Sequence, residues 1–375
     1  MMTKHDLQKH ASKILEMYSR RIALDDIDGL LYMTVGSQRL KLVADLTRRM
    51  NVELQLKQQS TRMRSGGAYL EAVLGDFGCG KSHIGYLLQH NALCAEAEVL
   101  VARCQMTGEM TFSLLLAAIL RSLRVSGSES IESHDIEISA YRKLTEWAGG
   151  GEQDLTELIR GQLLNLPQAV ATALSNALKA VARPQPDAAP LQEFLSTWVE
   201  RSEPRVALAV FEQILRLFSR VQVTRVCLII DEFEALSAAP EQQLKETLQY
   251  LQALHDDFAA GRSELPSLYA VFLSTDDFWQ LGSAKMPSLL RAGDRVRRTS
   301  GIPNISKLEI MGLMERYMTL HMLNDQVGAE LDYESFSKAC DECWTELAGR
   351  AHHMRSVHTT VREKVEQLLS STQQR

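Results

Sequence analysis

The chain has 375 residues, 45% of them apolar and 23% charged, with a formal net charge of −6 at pH 7. That is enough apolar material for two or three packed domains, and the acidic balance excludes a general nucleic-acid footprint, leaving only a local basic patch for such a role. The polar start MMTKHDLQKHASK has no apolar signal core, and the longest strongly apolar stretch, around Leu114–Leu120, is too short to span a bilayer, so a cytoplasmic protein with no membrane partner is expected.

Taken in order, residues 4–20 carry Leu7, Ile14, Leu15 and Tyr18 at helical spacing. An irregular lead-in with an Asp-Gly turn at 28–29 follows, then Val35-Gly36 and a helix expected over about 38–52 with Leu40, Leu42, Val43, Leu46 and Met50 on its apolar face. The polar stretch 57–67 reads as a loop. An expected strand at 69–74 then runs into Gly75-Asp76-Phe77-Gly78-Cys79-Gly80-Lys81-Ser82, a full G-x-x-x-x-G-K-[ST] match, and a helical pattern with Ile84, Leu87 and Leu88 on one face follows. Strand, glycine loop and helix form the context in which this motif wraps phosphate oxygens with backbone N–H groups at a helix N-terminus. Lys81 is expected to reach the β- and γ-phosphates of ATP, and Ser82 to hold Mg²⁺.

A second strand is expected at 97–103 and an apolar helix at 111–123. The Ser/Glu-rich stretch 126–137 reads as a connector, and 138–221 as helices (139–147, 153–164, 168–182, 191–201 and 206–220) broken at Gly149–Gly151 and Pro184-x-Pro186. Such a block is long for a connection between strands of one sheet, and reads as a helical insertion offering a partner or regulatory surface.

Residues 225–236, RVCLIIDEFEAL, hold a continuous apolar run of the kind buried on both faces of a parallel sheet, ending in Asp231-Glu232. With the glycine loop upstream, Asp231 is the expected Mg²⁺ carboxylate and Glu232 the base for an attacking water. A helix at 241–258 and a strand at 267–273 follow, the strand ending in Ser274-Thr275-Asp276-Asp277. Thr275, with Ser274 second, reads either as a γ-phosphate sensor or as a helix cap. RAGDRVRR at 291–298 supplies Arg291, Arg295, Arg297 and Arg298; Arg295 leads as an arginine acting on a neighbouring subunit's phosphate, against a solvated basic turn or a DNA-phosphate contact. A last strand is expected at 302–308, then helices at 309–323, 332–348 and 354–370 forming a lid packed by Trp344, Leu347, Val357, Val361, Val365 and Leu368. Arg355 opens the last helix, as a second sensor or a surface arginine.

Six cysteines, at 79, 94, 104, 227, 340 and 343, fit reduced thiols rather than a disulfide scaffold. Cys340-x-x-Cys343 with His352 and His353 downstream reads as half a zinc site or as two small residues on one helix face. Cys79, inside the glycine loop, either fits the turn or makes the site sensitive to oxidation.

In motif order the chain resembles an AAA+ ATPase of the initiator/clamp-loader type. The pieces are the Val35-Gly36-x-x-x-Leu40 lead-in, the glycine loop (Walker A), Asp231-Glu232 (Walker B), Ser274-Thr275 one strand later, and the terminal helices. It is similar more closely to the ATP-binding proteins of bacterial BREX-type phage-defence systems, through Gly78–His83, the block at 138–221, Ile230–Glu234 and Thr275–Phe278. The loop departs from that family in beginning Gly75-Asp76-Phe77-Gly78-Cys79, and no winged-helix DNA-binding domain is expected after the lid. The resemblance implies an α/β P-loop ATPase, a nucleotide site that includes Val35, Gly36 and His83, homo-oligomerisation, and partner proteins in a defence or DNA-processing complex, with DNA a possible further partner. The expected domains are an N-terminal helical segment at 1–32, an ATPase core at 33–308 with its insertion at about 126–221, and a helical lid at 309–375.

Overall fold

The structure, a computed structural model, describes residues 11–12, 14–15, 33–34, 37–60, 67–94, 99–126, 136–147, 159, 166–183, 185–260, 265–279, 296–299, 301–302, 305–325, 333–347 and 354–373, with the backbone alone at 37, 52–60, 136–139, 147, 325, 355 and 372–373. In chain order the elements are α1 (Ser37–Ser60), β1 (Ala68–Leu74), α2 (Lys81–Leu93), β2 (Val99–Gln105), α3 (Phe112–Arg121), β3 (Arg124–Val125), α4 (Ile136–Trp147), α5 (Gln168–Ala182), α6 (Ala189–Leu195) continuing into a π turn (Ser196–Glu200), α7 (Pro204–Arg220), β4 (Arg225–Asp231), a 3₁₀ turn (Phe233–Ala238), α8 (Glu241–Ala259), β5 (Ser267–Ser274), β6 (Val296–Thr299), α9 (Lys307–Asp325), α10 (Tyr333–Glu346) and α11 (Met354–Gln373).

Among the described residues six strands form one sheet in the order β3-β2-β4-β5-β1-β6. Parallel pairing joins β2 to β4, β4 to β5 and β1 to β6, and the two-residue β3 is antiparallel to β2 at one edge. This is the expected α/β class with a mostly parallel sheet. Every residue of β4 and of β5 is buried, the condition under which an uninterrupted apolar run forms a strand. β5, the strand ending in Ser274, lies between β4, which ends in Asp231, and β1, which precedes the glycine loop.

The chain divides into two units. One comprises Thr47–Val73 and Gln89–Thr299: the sheet, α3 and the helices of the insertion. α3 begins at the capping residue Thr111, whose side chain accepts the Leu114 N–H. α7 is a core helix, with Phe211, Ile214, Leu215 and Phe218 fully buried, and the Tyr141 hydroxyl of α4 donates to the Leu120 carbonyl of α3 at 3.0 Å. The other unit comprises Met1–Leu46, Leu74–Leu88 and Ser300–Arg375. Its core is built by α9, α10 and α11 through Leu313, Met314, Tyr317, Leu347, Val357, Val361 and Val365, together with Ala11, Ile14 and Met33 from the N-terminal stretch.

Several expectations are corrected. α1 runs on to Ser60, through residues read as the start of a loop, because nothing between 53 and 60 is a Gly or Pro that would stop it. Its buried line is Arg39, Val43, Leu46 and Met50, spaced i, i+4, i+7 and i+11, and this leaves Leu40 45% exposed. The last strand among the described residues is Val296–Thr299, overlapping the arginine-rich stretch, and the described residues of 302–308 form no strand. Instead Ser306 and Glu309 form a reciprocal cap that starts α9: the Ser306 N–H donates to Glu309 Oε2 at 2.6 Å and the Glu309 N–H to Ser306 Oγ at 3.3 Å. The lead-in at 22–31 and the helix expected over 153–164 lie outside the described residues, apart from a helical Ile159.

Candidate functional site

In the unit that holds the glycine loop, the backbone turns through positive φ at Gly78 (75°) and Gly80 (98°), conformations that a side chain disfavours. The loop is drawn together from within. The Cys79 N–H donates to the Asp76 carbonyl at 3.3 Å, and Lys81 Nζ donates to the carbonyls of Gly75 (2.8 Å) and Asp76 (3.0 Å). A Cβ on Gly75 would stand 2.7 Å from Cys79 Sγ, so this glycine is required by the cysteine packed under the loop. Burial pushes the Cys79 thiol up from its ordinary range, against the pull of Lys81 and Arg39, which makes it a packing residue rather than a reactive one. Phe77 projects from the loop, 70% exposed, with the Lys81 ammonium 5.4 Å from its ring centroid.

α2 starts at Lys81, and its first helical bond runs from Ile84 N–H to the Gly80 carbonyl. The N–H groups ahead of that bond have no partner within the helix, as at every helix start. A loop of glycines, a fixed ammonium and the N-terminal N–H groups of a helix fit a phosphate chain.

His83, expected beside the nucleotide, has another partner: Nε2 lies 2.5 Å from Thr34 Oγ1, and the Thr34 carbonyl accepts from Arg316 Nη1 of α9 at 2.5 Å. Burial, then the Arg39 charge, pushes the His83 imidazole down to about 4. His358 of α11 accepts from or donates to the Tyr317 hydroxyl at 3.1 Å, and burial, then His83 and Arg39, push it down to about 3. Both rings are therefore neutral at physiological pH. The first N–H of α11, at Met354, donates to the Gly78 carbonyl at 2.6 Å, which seats the start of this helix on the glycine loop. Arg355 is the next residue of the same turn, and its side chain lies outside the described set.

In the other unit the strand ends gather carboxylates and their partners. Asp231, the last residue of β4, accepts from Arg103 Nη2 at 2.7 Å on Oδ2 and from the Glu232 N–H at 3.0 Å on Oδ1. Each oxygen keeps a lone pair, enough for a hard cation that retains part of its water shell, so the residue fits magnesium. Glu232 takes a left-handed conformation (φ 52°, ψ 39°), an uncommon one for glutamate, and its Oε2 accepts from Gln105 Nε2 at 2.8 Å. β5 ends at Ser274, which is completely buried, with no hydrogen-bond partner for its hydroxyl among the described residues. Thr275 follows, nearly buried, and a helical turn begins at Asp276, so Thr275 stands at the capping position. Arg297 and Arg298 lie on β6, and the Arg298 guanidinium is 5.9 Å from the centroid of the Trp279 ring. Val35, Gly36, Arg291 and Arg295 lie outside the described residues.

Cys340 and Cys343 are fully buried in the core of α9–α11, and burial pushes their thiols up to about 11 and about 12. Among the described residues no group of three or more His, Cys, Asp or Glu is arranged to hold a metal, and no helix is long and apolar enough to cross a membrane. His352 and His353 lie outside the described residues.

Reading the sequence missed Arg103, Gln105, Thr34, Arg39 and Glu71. A basic residue and a terminal glutamine in the mostly apolar VLVARCQ, and a carboxylate inside AYLEAVL, were the available signals.

These features define a class: an α/β protein with a mostly parallel sheet, in which the strand beside β5 runs into a glycine loop that opens a helix. No family model matches the chain, and no curated protein matches it. Among solved structures it is similar to the ORC2 protein of Aeropyrum pernix in ADPNP–ADP complexes (10% identity, 87% of this chain and 67% of that one, TM-score 0.41). It is also similar to the ADP form of that protein (11%, 87% and 66%, TM-score 0.40) and to a Walker-type ATPase of Pyrococcus abyssi (12%, 88% and 76%, TM-score 0.37). Likeness at this level leaves the function to be argued from the residues.

Proposed function

We propose that this chain binds Mg-ATP on its glycine loop and hydrolyses it, as an AAA+-like P-loop ATPase. The reading is carried by the loop itself, in which Gly78 and Gly80 take positive φ and the Lys81 ammonium is held against the carbonyls of Gly75 and Asp76. In it the loop N–H groups and Lys81 bind the β- and γ-phosphates. Ser82 and Asp231 would hold Mg²⁺, which would supply positive charge to offset that of the phosphates. Glu232 takes the proton of the attacking water. Thr275 and Arg355 sense the nucleotide, and Arg295 or one of its neighbours acts on the phosphate of a second copy. The resemblance to BREX-type ATP-binding proteins supports a role in phage defence or DNA transactions within a multiprotein complex.

Nucleotide binding and turnover test this directly. Lys81→Ala is expected to lose ATP binding. Glu232→Gln is expected to keep binding and lose turnover by about a hundredfold or more. Unchanged binding in the first variant, or unchanged turnover in the second, overturns the reading. A second reading, a nucleotide-gated switch with little turnover, is favoured by one contact: Gln105 already holds the Glu232 carboxylate at 2.8 Å. Negligible turnover in the unaltered protein, with ATP still changing its sedimentation, selects that reading.

A further inference from the structure

The β2 sequence VLVARCQ places Arg103 and Gln105 on one face of the strand, two residues apart. Parallel pairing sets Arg103 beside Ile229 and Gln105 beside Asp231, so the long Arg103 side chain reaches along β4 to its end. There its Nη2 lies 2.7 Å from Asp231 Oδ2, with the two side chains 17% and 3% exposed. The carboxylate is fixed on its other side by the Glu232 N–H at 3.0 Å, and the Asp231 carbonyl accepts the Met106 N–H at 2.8 Å. A carboxylate this enclosed and oriented already has a full positive charge in hydrogen-bonding contact.

We propose that Arg103 sets the magnesium affinity of the Asp231 carboxylate, as a resident cation that competes with the metal for it. This rests on the Mg-ATP reading above. A guanidinium and a divalent cation on one carboxylate repel each other, and at this burial solvent screens that repulsion poorly. Arg103 therefore keeps Asp231 compensated and aimed when no metal is bound, and raises the magnesium concentration needed to engage it. The same contact keeps the buried carboxylate from standing uncompensated, which would be strongly destabilising.

Binding of fluorescent mant-ADP, measured across a magnesium titration, tests this without any reading of activity. Arg103→Gln removes the charge and leaves a polar side chain on the same face of β2. Its half-saturating magnesium concentration is expected to fall about tenfold or more, and magnesium with ADP should raise its melting temperature more than it raises that of the unaltered protein. Arg103→Lys keeps the charge, and its half-saturating concentration should stay within about twofold of the unaltered value. A half-saturating concentration for Arg103→Gln that is unchanged or higher overturns the proposal. If that variant is not recovered folded, a shift of about tenfold in Arg103→Lys overturns it instead, and an unshifted value upholds it. Should the unaltered protein bind no mant-ADP with or without magnesium, the nucleotide reading falls and this inference with it. If mant-ADP binds magnesium-dependently and only the Arg103→Gln shift is missing, this inference alone falls.

Discussion

Glu71 lies mid-strand in β1, among residues that bury on both sides of the sheet. A carboxylate there needs partners, and it has three: the Tyr269 hydroxyl donates to Oε2 at 2.6 Å, the Thr299 hydroxyl to Oε1 at 2.6 Å, and Arg49 Nη2 lies 3.1 Å from Oε1. The same contacts raise the Tyr269 phenol, through burial first and Glu71 second. Three strands and α1 are thereby tied at one residue. Truncation leaves a nearly buried arginine uncompensated, so Glu71→Ala should lose about 3–5 kcal/mol of unfolding free energy, with Glu71→Gln losing less. Urea unfolding measures both, and a loss below about 1 kcal/mol for Glu71→Ala would refute this account of the cluster. Asp231 is placed by the same logic, with a strand-end carboxylate held by an arginine from the neighbouring strand.

Between elements, the neutral histidines are the most testable feature. His83 on α2 and His358 on α11 are bases held below the ordinary histidine value of 6.5, at about 4 and about 3, by burial before any charge. The unfolded chain therefore takes up protons first, and stability falls as pH drops from about 6.5 toward 4. Thermal melts between neutral pH and the acid end of that window should show a falling melting temperature, with a shallower fall in the double variant His83→Gln/His358→Gln. Equal slopes in the two proteins would remove the histidines as the cause. The helices themselves were largely legible, since α5 and α8 follow their apolar periodicity to within a residue. Misreadings came where a polar residue decides. Ser306 and Glu309 convert an expected strand into the start of α9, and Leu40 yields its place on α1 to the buried Arg39.

For the whole molecule, the six cysteines give a simple readout of the fold. All are free, and only Cys94 is exposed. Burial pushes Cys104 and Cys227 up to about 12 as well. A thiol reagent should label one cysteine quickly in the native protein and all six after unfolding. Rapid labelling of Cys79 in the native state would show that the glycine loop is open in a way its packing under Gly75 denies. By itself the sequence determined the parts whose physics is local: the buried strands of the sheet, written as continuous apolar runs, the helical insertion and terminal helices, and the glycine loop, whose Gly, Lys and Ser spacing is set by backbone geometry within eight residues. Only the tertiary structure decided what each charge touches. Arg103 meets Asp231 across 128 positions of sequence, Glu71 meets Thr299 across 228, and Thr34 meets Arg316 across 282. Such pairings have no local period or turn chemistry to announce them, because they arise when buried polar groups must find partners in whatever the fold brings near.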